Sequence, residues 1–259
     1  MRIPFLSETG ARAGEFWLAL RFLTRLPLGP EPIVAPGSLA AAGWAFPLIG
    51  ALVGLIAGIA YWIALALSLP PFAAALIAIG ASVAVTGGLH EDGLADMADG
   101  FGGGRDVTEK LAIMRDSRIG SFGVLALIFS VGLRMAAIAF IAWRGPVMAA
   151  LIAAHAVGRG LLPLVMNYLP PAREDGLGAE AGRPGLAVAL VSAAIAAVIA
   201  LFALGPRLGI EALIAVAIVT ALRAAFAYRH IGGHTGDVLG ALEQGGEVVM
   251  LLAAAAWGP

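Results

Sequence analysis

Four carboxylates, Glu91, Asp92, Asp96 and Asp99, fall between Gly87 and Gly104, a stretch that also holds seven glycines. They follow directly on an apolar segment, in a chain that is poor in charge almost everywhere else. Asp92, Asp96 and Asp99 stand at i, i+4 and i+7, so a helix here carries all three on one face, on adjacent turns. Glu91 lies off that face. Carboxylates this close raise one another's pKa unless a cation neutralises them. Oxygen ligands at a membrane edge point to a hard divalent cation. Mg²⁺ takes one or two carboxylates, keeps some water and draws its remaining ligands from substrate phosphate. The plainer alternative is a solvated loop with capping aspartates, which the scarcity of charge elsewhere disfavours.

Gly100, Gly102, Gly103 and Gly104 permit backbone positions closed to other residues, and a run of N–H groups there is expected to cradle a phosphate. No Gly-Lys-Ser/Thr follows and no β-α-β context exists, so neither a Walker A loop nor a dinucleotide fingerprint is present. Arg105, Arg115 and Arg118 strengthen the phosphate reading, because arginine grips phosphate oxygens in pairs. Snorkelling, or pairing with Asp116, is the structural alternative for Arg115 and Arg118. His90 and His234 have the right pKa range for proton transfer but read as structural polar residues. Arg134, Arg159 and Arg223 lie in or near apolar spans, where charges face a protein interior or a wet cavity. Of these, Arg159 is the one placed to enter a site.

These residues must be positioned by membrane helices. The chain has 259 residues, 60% hydrophobic and 13% charged, against about 25% charged in soluble domains. The mean hydropathy is +0.93. About 20 apolar helical residues cross the hydrocarbon. Seven spans are expected, at about 39–69, 72–86, 121–143, 147–166, 185–204, 210–228 and 238–257. The fold class is therefore all-α, a single membrane-embedded domain over residues 1–259 with the lipid bilayer as its partner. Gly43, Gly50, Gly54 and Gly58 give the first span the small-residue spacing of close helix packing. Residues 11–26 read either as an amphipathic interfacial helix or as a buried packing helix. Pro27, Pro30, Pro32 and Pro36 make a stiff connector after it, and Arg144-Gly145-Pro146 breaks the third span from the fourth. The initial charges do not fit a cleavable signal peptide. With net charge −1, nothing suggests nucleic acid. The absence of cysteine excludes disulfides and thiolate chemistry. The oligomeric state is left open, a homo-oligomer included.

With the N-terminus cytoplasmic, Arg2, Arg12, Arg21, Arg25, Arg105, Lys110, Arg115, Arg118, Arg173, Arg183 and Arg229 all face the cytoplasm. The opposite loops keep Arg144 and Arg207, so the positive-inside bias is lopsided. The same orientation places three polar, glycine-bearing segments, at 90–118, 167–184 and 229–237, on one face. A site assembled from them meets cytoplasmic solutes.

The motifs carry a family resemblance. Phe22-Leu23-Thr24-Arg25-Leu26-Pro27, Phe46-Pro47-Leu48-Ile49-Gly50 and the block Gly87–Gly100 come first. Ile113-Met114-Arg115-Asp116-Ser117-Arg118-Ile119-Gly120, Gly123-Val124-Leu125-Ala126, Arg173, Gly176-Leu177-Gly178 and Gly232–Ala241 follow in order. Together they resemble the cobalamin synthases, the adenosylcobinamide-GDP ribazoletransferases of bacterial vitamin B12 assembly, over nearly the whole chain. Position 91 is commonly leucine in that family and position 97 commonly threonine; here they are Glu91 and Met97.

The resemblance implies a Mg²⁺-dependent transferase of the bacterial inner membrane. Adenosylcobinamide-GDP and α-ribazole, or its 5′-phosphate, give adenosylcobalamin, or its 5′-phosphate, and GMP. On that footing Asp92, Asp96 and Asp99 hold one or two Mg²⁺ ions on the pyrophosphate. Arg115, Arg118 and Arg173 clamp phosphate, with Arg105, Arg159, Gly102 and Gly103 as further phosphate contacts. Asp237 either completes the metal shell or accepts the hydroxyl proton. Two other readings were weighed. A CDP-alcohol phosphotransferase-like lipid enzyme needs an Asp-Gly-x-x-Ala-Arg pattern, which Asp92-Gly93-Leu94-Ala95-Asp96 lacks. A cation transporter places its acidic site near the bilayer midplane, commonly between inverted repeats, and no repeat is evident here.

Overall fold

A computed structural model describes residues 8–28, 37–143 and 146–257. Arg2, Pro30, Pro32, Pro36, Arg144 and Gly145 lie outside the described residues, and with them most of the expected proline connector. The described residues form helices α1 (Glu8–Leu23), α2 (Ser38–Ala42), α3 (Phe46–Ala66), α4 (Pro71–Thr86), α5 (Leu89–Gly103), α6 (Val107–Ile113), α7 (Ser121–Ile141), α8 (Val147–Gly160), α9 (Leu162–Tyr168), α10 (Leu177–Glu180), α11 (Leu186–Leu204), α12 (Pro206–Ile231) and α13 (Gly236–Trp257). Six stretches are long and apolar enough to cross a bilayer, and a seventh results if the bent pair α4 and α5 is counted as one. The chain is thus an all-α, multi-pass membrane bundle.

The expected second span is α4. The chain then bends by 93° into α5, so α5 runs across the end of the bundle rather than continuing the direction of α4. Two successive left-handed glycines make the corner, Gly87 at φ 70° and Gly88 at φ 71°, a conformation that side chains with a Cβ rarely adopt. A Cβ at Gly87 would also sit 2.7 Å from Nε of Arg25, and the Arg25 N–H donates to the Val85 carbonyl at 2.6 Å. Arg25 therefore fastens the segment after α1 to this corner. Helix α1 buries Ala19, Leu20 and Leu23, which join the cluster that contains Phe46, Leu162 and Leu239.

The small-residue spacing of the first span does what its pattern predicts. α3 crosses α8 so closely that a Cβ on Gly50 would overlap the His155 carbonyl, one on Gly54 would lie 2.5 Å from the Leu151 carbonyl oxygen, and one on Gly58 would lie 2.7 Å from Met148. In lipid, where apolar burial supplies little drive between helices, such backbone contact is what associates them.

A charged network lies inside the bundle. Arg134 of α7 donates to Glu247 of α13 at 2.9 Å and to Glu91 of α5 at 3.2 Å. Arg159 of α8 donates to Glu247 at 2.9 Å and ion-pairs with Glu243. His155 also meets Glu247. Gln244 donates to Glu91 and to Glu243, each at 3.1 Å, and accepts from Ser130 at 3.0 Å. The arginines and the α13 carboxylates are at most 2% exposed. A buried charge survives only when paired and hydrogen-bonded. Here four helices share the pairing, which fixes their mutual rotation.

Two outcomes follow. Gly54→Leu should lower stability by about 1–3 kcal/mol, the usual cost of overpacking, whereas Gly80→Ala, whose Cβ meets nothing within 4 Å, should leave the melting temperature unchanged or slightly raised. Glu247→Leu takes a buried carboxylate from Arg134 and from Arg159, leaving each with one acidic partner, and should cost about 3–5 kcal/mol. Thermal unfolding in detergent measures all three.

Candidate active site

The polar segments at 90–118, 167–184 and 229–237 do converge. His234 N–H donates to the Pro170 carbonyl at 2.9 Å, and Ala172 N–H donates to the His234 carbonyl at 2.8 Å. The Arg115 guanidinium donates to Asp175, and Arg173 lies 3.8 Å from Asp175 and 3.7 Å from Asp237. The loop between α9 and α11 is thereby tied to both the loop after α6 and the start of α13.

The acidic segment is helical, which aligns its aspartates. α5 lies directly on α13: a Cβ on Gly93 would come within 2.9 Å of the Asp237 backbone, and one on Gly240 within 3.1 Å of the His90 carbonyl. That glycine-to-backbone crossing sets Asp92 and Asp96 beside Asp237. The consequence registers at Asp96. Burial, then the nearby charges of Asp92, Asp237 and Asp99, push its carboxyl up to about 7, with Arg173 pulling weakly the other way. This is the signature of carboxylates gathered without enough positive charge.

Asp99 has a distinct job. Its two oxygens accept the N–H groups of Gly120 at 2.6 Å and Gly123 at 2.8 Å, and it is 8% exposed. It therefore caps the exposed donors at the start of α7. Gly120 and Gly123 have no room for a Cβ beside this carboxylate, which explains glycine at both positions.

The glycines after Asp99 differ from expectation. Gly102 and Gly103 belong to α5, so their N–H groups are directed along the helix toward its own carbonyls and form no phosphate-cradling loop. Gly102 instead admits the ring of Phe122, which a Cβ would meet at 2.6 Å. Helical propensity yields here to packing against α6 and α7.

The arginines separate into three groups. Arg105 pairs with Glu109 at 3.1 Å and Arg118 with Asp116 at 2.6 Å, both on exposed surface. The Arg118 hydrogen bonds hold Asp116 down at about 2. Arg159 is buried to 1% exposure in the charged network, below the site rather than at its mouth. Arg115 and Arg173 are on the loops that converge on the aspartates. Arg173 faces Asp237, and its Nη1 is buried with no hydrogen-bond partner among the described residues. That orphaned donor makes it the arginine best prepared for an anionic ligand.

Sequence reading missed the link between the site and the bundle interior. Nη2 of Arg159 lies 3.3 Å from Nδ1 of His90. An arginine can only donate, so Nδ1 accepts and the His90 proton sits on Nε2. The signal that could have found the network was Glu243 and Glu247, two acids one turn apart within an apolar span. Ligand atoms of His155, Glu243 and Glu247 lie within 4.8 Å of one another. Nη1 of Arg159 contacts all three, so the guanidinium already supplies the cation that this buried group needs.

One cavity of about 130 Å³ opens against the aspartates. It is lined by the charged and polar side chains of His90, Asp92, Arg173 and Asp237 from α5, α13 and the loop after α9, and by the apolar Phe22, Phe46, Leu162 and Met166 from α1, α3 and α9.

Comparison with known proteins matches residues 15–255 to the family described as cobalamin-5-phosphate synthase. A protein of Bradyrhizobium diazoefficiens named adenosylcobinamide-GDP ribazoletransferase is 48% identical over 240 residues, covering 93% of this chain and 92% of that one. A protein of the same name from Mesorhizobium japonicum is 46% identical over 255 residues, 98% of each chain, and one from Xanthobacter autotrophicus is 47% identical over 253 residues, 93% of this chain and 95% of that one. No solved structure matches. The matched stretch contains Asp92, Asp96, Asp99, Arg173 and Asp237, and the chain belongs to the cobalamin-5-phosphate synthase family.

Proposed function

We propose that the chain joins adenosylcobinamide-GDP to α-ribazole or α-ribazole 5′-phosphate, releasing GMP and forming adenosylcobalamin or its 5′-phosphate. It does so as a Mg²⁺-dependent phosphotransferase in the bacterial inner membrane, with the site facing the cytoplasm. The observation that carries this reading is the convergence of Asp92, Asp237 and Arg173 on one cavity, with Asp96 close enough to Asp92 and Asp237 to feel their charge. The substrates come from the names of the full-length relatives, and the orientation from the arginine bias of the polar loops.

The reaction replaces one phosphorus–oxygen bond by another. A ribose hydroxyl attacks the phosphorus that bears the cobinamide, and the GMP oxygen leaves. Such transfer depends on alignment and charge neutralisation more than on covalent chemistry. The donor set fits a divalent cation: hard carboxylate oxygens, crowded enough to hold Asp96 at about 7. Asp92 and Asp96 would hold it, with Asp237 at the edge of its shell. When bound, Mg²⁺ supplies charge neutralisation at the diphosphate oxygens.

The chain's own groups do the rest. Arg173 offers its free Nη1 donor to a phosphate oxygen. Asp237 accepts from the Thr235 hydroxyl at 3.1 Å, which fixes one oxygen and leaves the other for the attacking hydroxyl proton. Asp99 holds α5 to the start of α7, so that Asp92 and Asp96 keep their positions.

GMP release by purified protein in phospholipid vesicles, supplied with both substrates and Mg²⁺, tests the reading; no release from the wild type removes it. Asp96→Asn should lose about 10²-fold or more in kcat, the scale of removing one group that stabilises transition-state charge. Asp96→Asn with full magnesium-dependent turnover would reject the aspartate assignment. Arg173→Ala should lose a similar factor, while Arg105→Ala, bound to Glu109 on the surface, should stay within about twofold of wild type. Chelation should abolish turnover, and Mg²⁺ should restore it far better than Ca²⁺, whose larger and looser shell suits this geometry less.

A further inference from the structure

The cavity beside the aspartates has two unlike ends, and the reaction has two unlike bases. Its charged end is Asp92, Asp237, Arg173 and His90. Its apolar lining is Phe22, Leu39, Phe46, Leu162, Met166 and Leu239, drawn from five different helices. Each of these except Phe22 is less than a tenth exposed. A wall assembled from so many helices and left unfilled is a preformed apolar recess.

We propose that this recess seats the aromatic base of the acceptor riboside. The inference rests on the function proposed above and assigns the subsite within it. The guanine of the donor carries two N–H donor groups and a carbonyl on one edge. Against Leu39, Leu162 and Met166 those groups find no partner, and a buried polar group left unpaired is strongly selected against. The benzimidazole of α-ribazole has no exocyclic polar group. Its ring faces are apolar and suit the edges and faces of Phe22 and Phe46. It keeps one free ring nitrogen, an acceptor. His90 lines the cavity, and with Arg159 donating to its Nδ1 the side-chain donor it has left is the neutral Nε2–H. The ring nitrogen and this donor are complementary.

The arrangement also orders the two substrates. A base seated in the recess leaves its ribose at the charged end, beside Asp237, where the hydroxyl must meet the phosphorus. The diphosphate then approaches across Arg173 from the loop side. The corrinoid and the guanine remain outside the recess, which is far too small for the corrinoid.

The experiment uses full-length protein in vesicles and measures the KM of each substrate separately by GMP release. Met166→Ala removes apolar contact from the wall and should raise KM for α-ribazole about tenfold, the worth of a few methylenes in a fitted pocket. KM for adenosylcobinamide-GDP should stay within about twofold. A rise in the KM of adenosylcobinamide-GDP instead would place guanine in the recess and overturn the inference, as would no change in either constant. If Met166→Ala does not fold, the wild type alone decides: an α-riboside with an adenine base should show kcat/KM lower by about tenfold or more. Equal use of both bases would overturn the inference. Absence of any GMP release by the wild type would instead strike the proposed function itself, and this inference with it; equilibrium dialysis of α-ribazole against the protein, without donor, reads the recess independently.

Discussion

Charge cannot be left unpaired in lipid, and this constraint organises the molecule. Arg134 and Arg159 enter the bundle from α7 and α8, and Glu243 and Glu247 enter from α13. None finds a partner in the hydrocarbon itself, so these pairings fix the mutual rotation of the three helices. Glu91 extends the same network to α5 through Arg134 and Gln244. α5 is too short and too polar to be held by lipid exclusion. It is instead held by that ion pair, by the glycine crossing with α13 and by Asp99 on the N–H groups at the start of α7. The residue next to Glu91 is Asp92, so the network that satisfies buried charge also positions the first aspartate of the site.

The site then departs from that rule. Within the bundle every carboxylate sits against a guanidinium. At the end of the bundle where the polar loops converge, Asp92, Asp96 and Asp237 gather around one compensating arginine, and burial together with this crowding raises Asp96 to about 7. A fold that neutralises buried charge so thoroughly elsewhere has kept this cluster short of cation. On the function proposed above, a divalent ion with a diphosphate attached would supply what is missing, and the orphaned Nη1 of Arg173 has the opposite need, for an anion. The two deficits meet at one cavity, which Asp92, Asp237 and Arg173 line together, and the proposed metal-bound phosphate ester would complete both.

Much of this was legible in the sequence, because membrane helices obey simple rules. Apolar length gave the spans to within a few residues, the Gly50, Gly54 and Gly58 spacing gave the α3 contact, and arginine placement gathered the polar loops at one end. The i, i+4, i+7 spacing placed Asp92, Asp96 and Asp99 on one helix, α5. What spacing could not reveal was which of the three is already engaged by its neighbours. Asp99 finds two backbone donors at Gly120 and Gly123, twenty residues away in the chain, and only the packing of α7 on α5 brings them there. The phosphate-loop reading of Gly102 and Gly103 failed for a related reason. Glycine permits an irregular backbone but does not require one, and Phe122 needed the space. Arg159 looked like a site residue because it is a cation in a span. Its partners, Glu243 and Glu247, are more than eighty positions further on.

The engagement of Asp99 bears on how the aspartates divide their labour. Each of its oxygens already accepts a short N–H bond from the start of α7, and of the three acids it acts least on Asp96. Asp92 and Asp237 act on Asp96 more strongly, although Asp237 is on another helix. The effective trio is therefore Asp92, Asp96 and Asp237, two acids from α5 and one from α13, with Asp99 as the anchor that keeps α5 in place. A site shared between two helices that meet at Gly93 and Gly240 is sensitive to their separation in a way that a site on one helix is not. Any side chain at either glycine would part Asp96 from Asp237 before it disturbed the spacing within α5. Glycine is required at that crossing because the acidic cluster spans it.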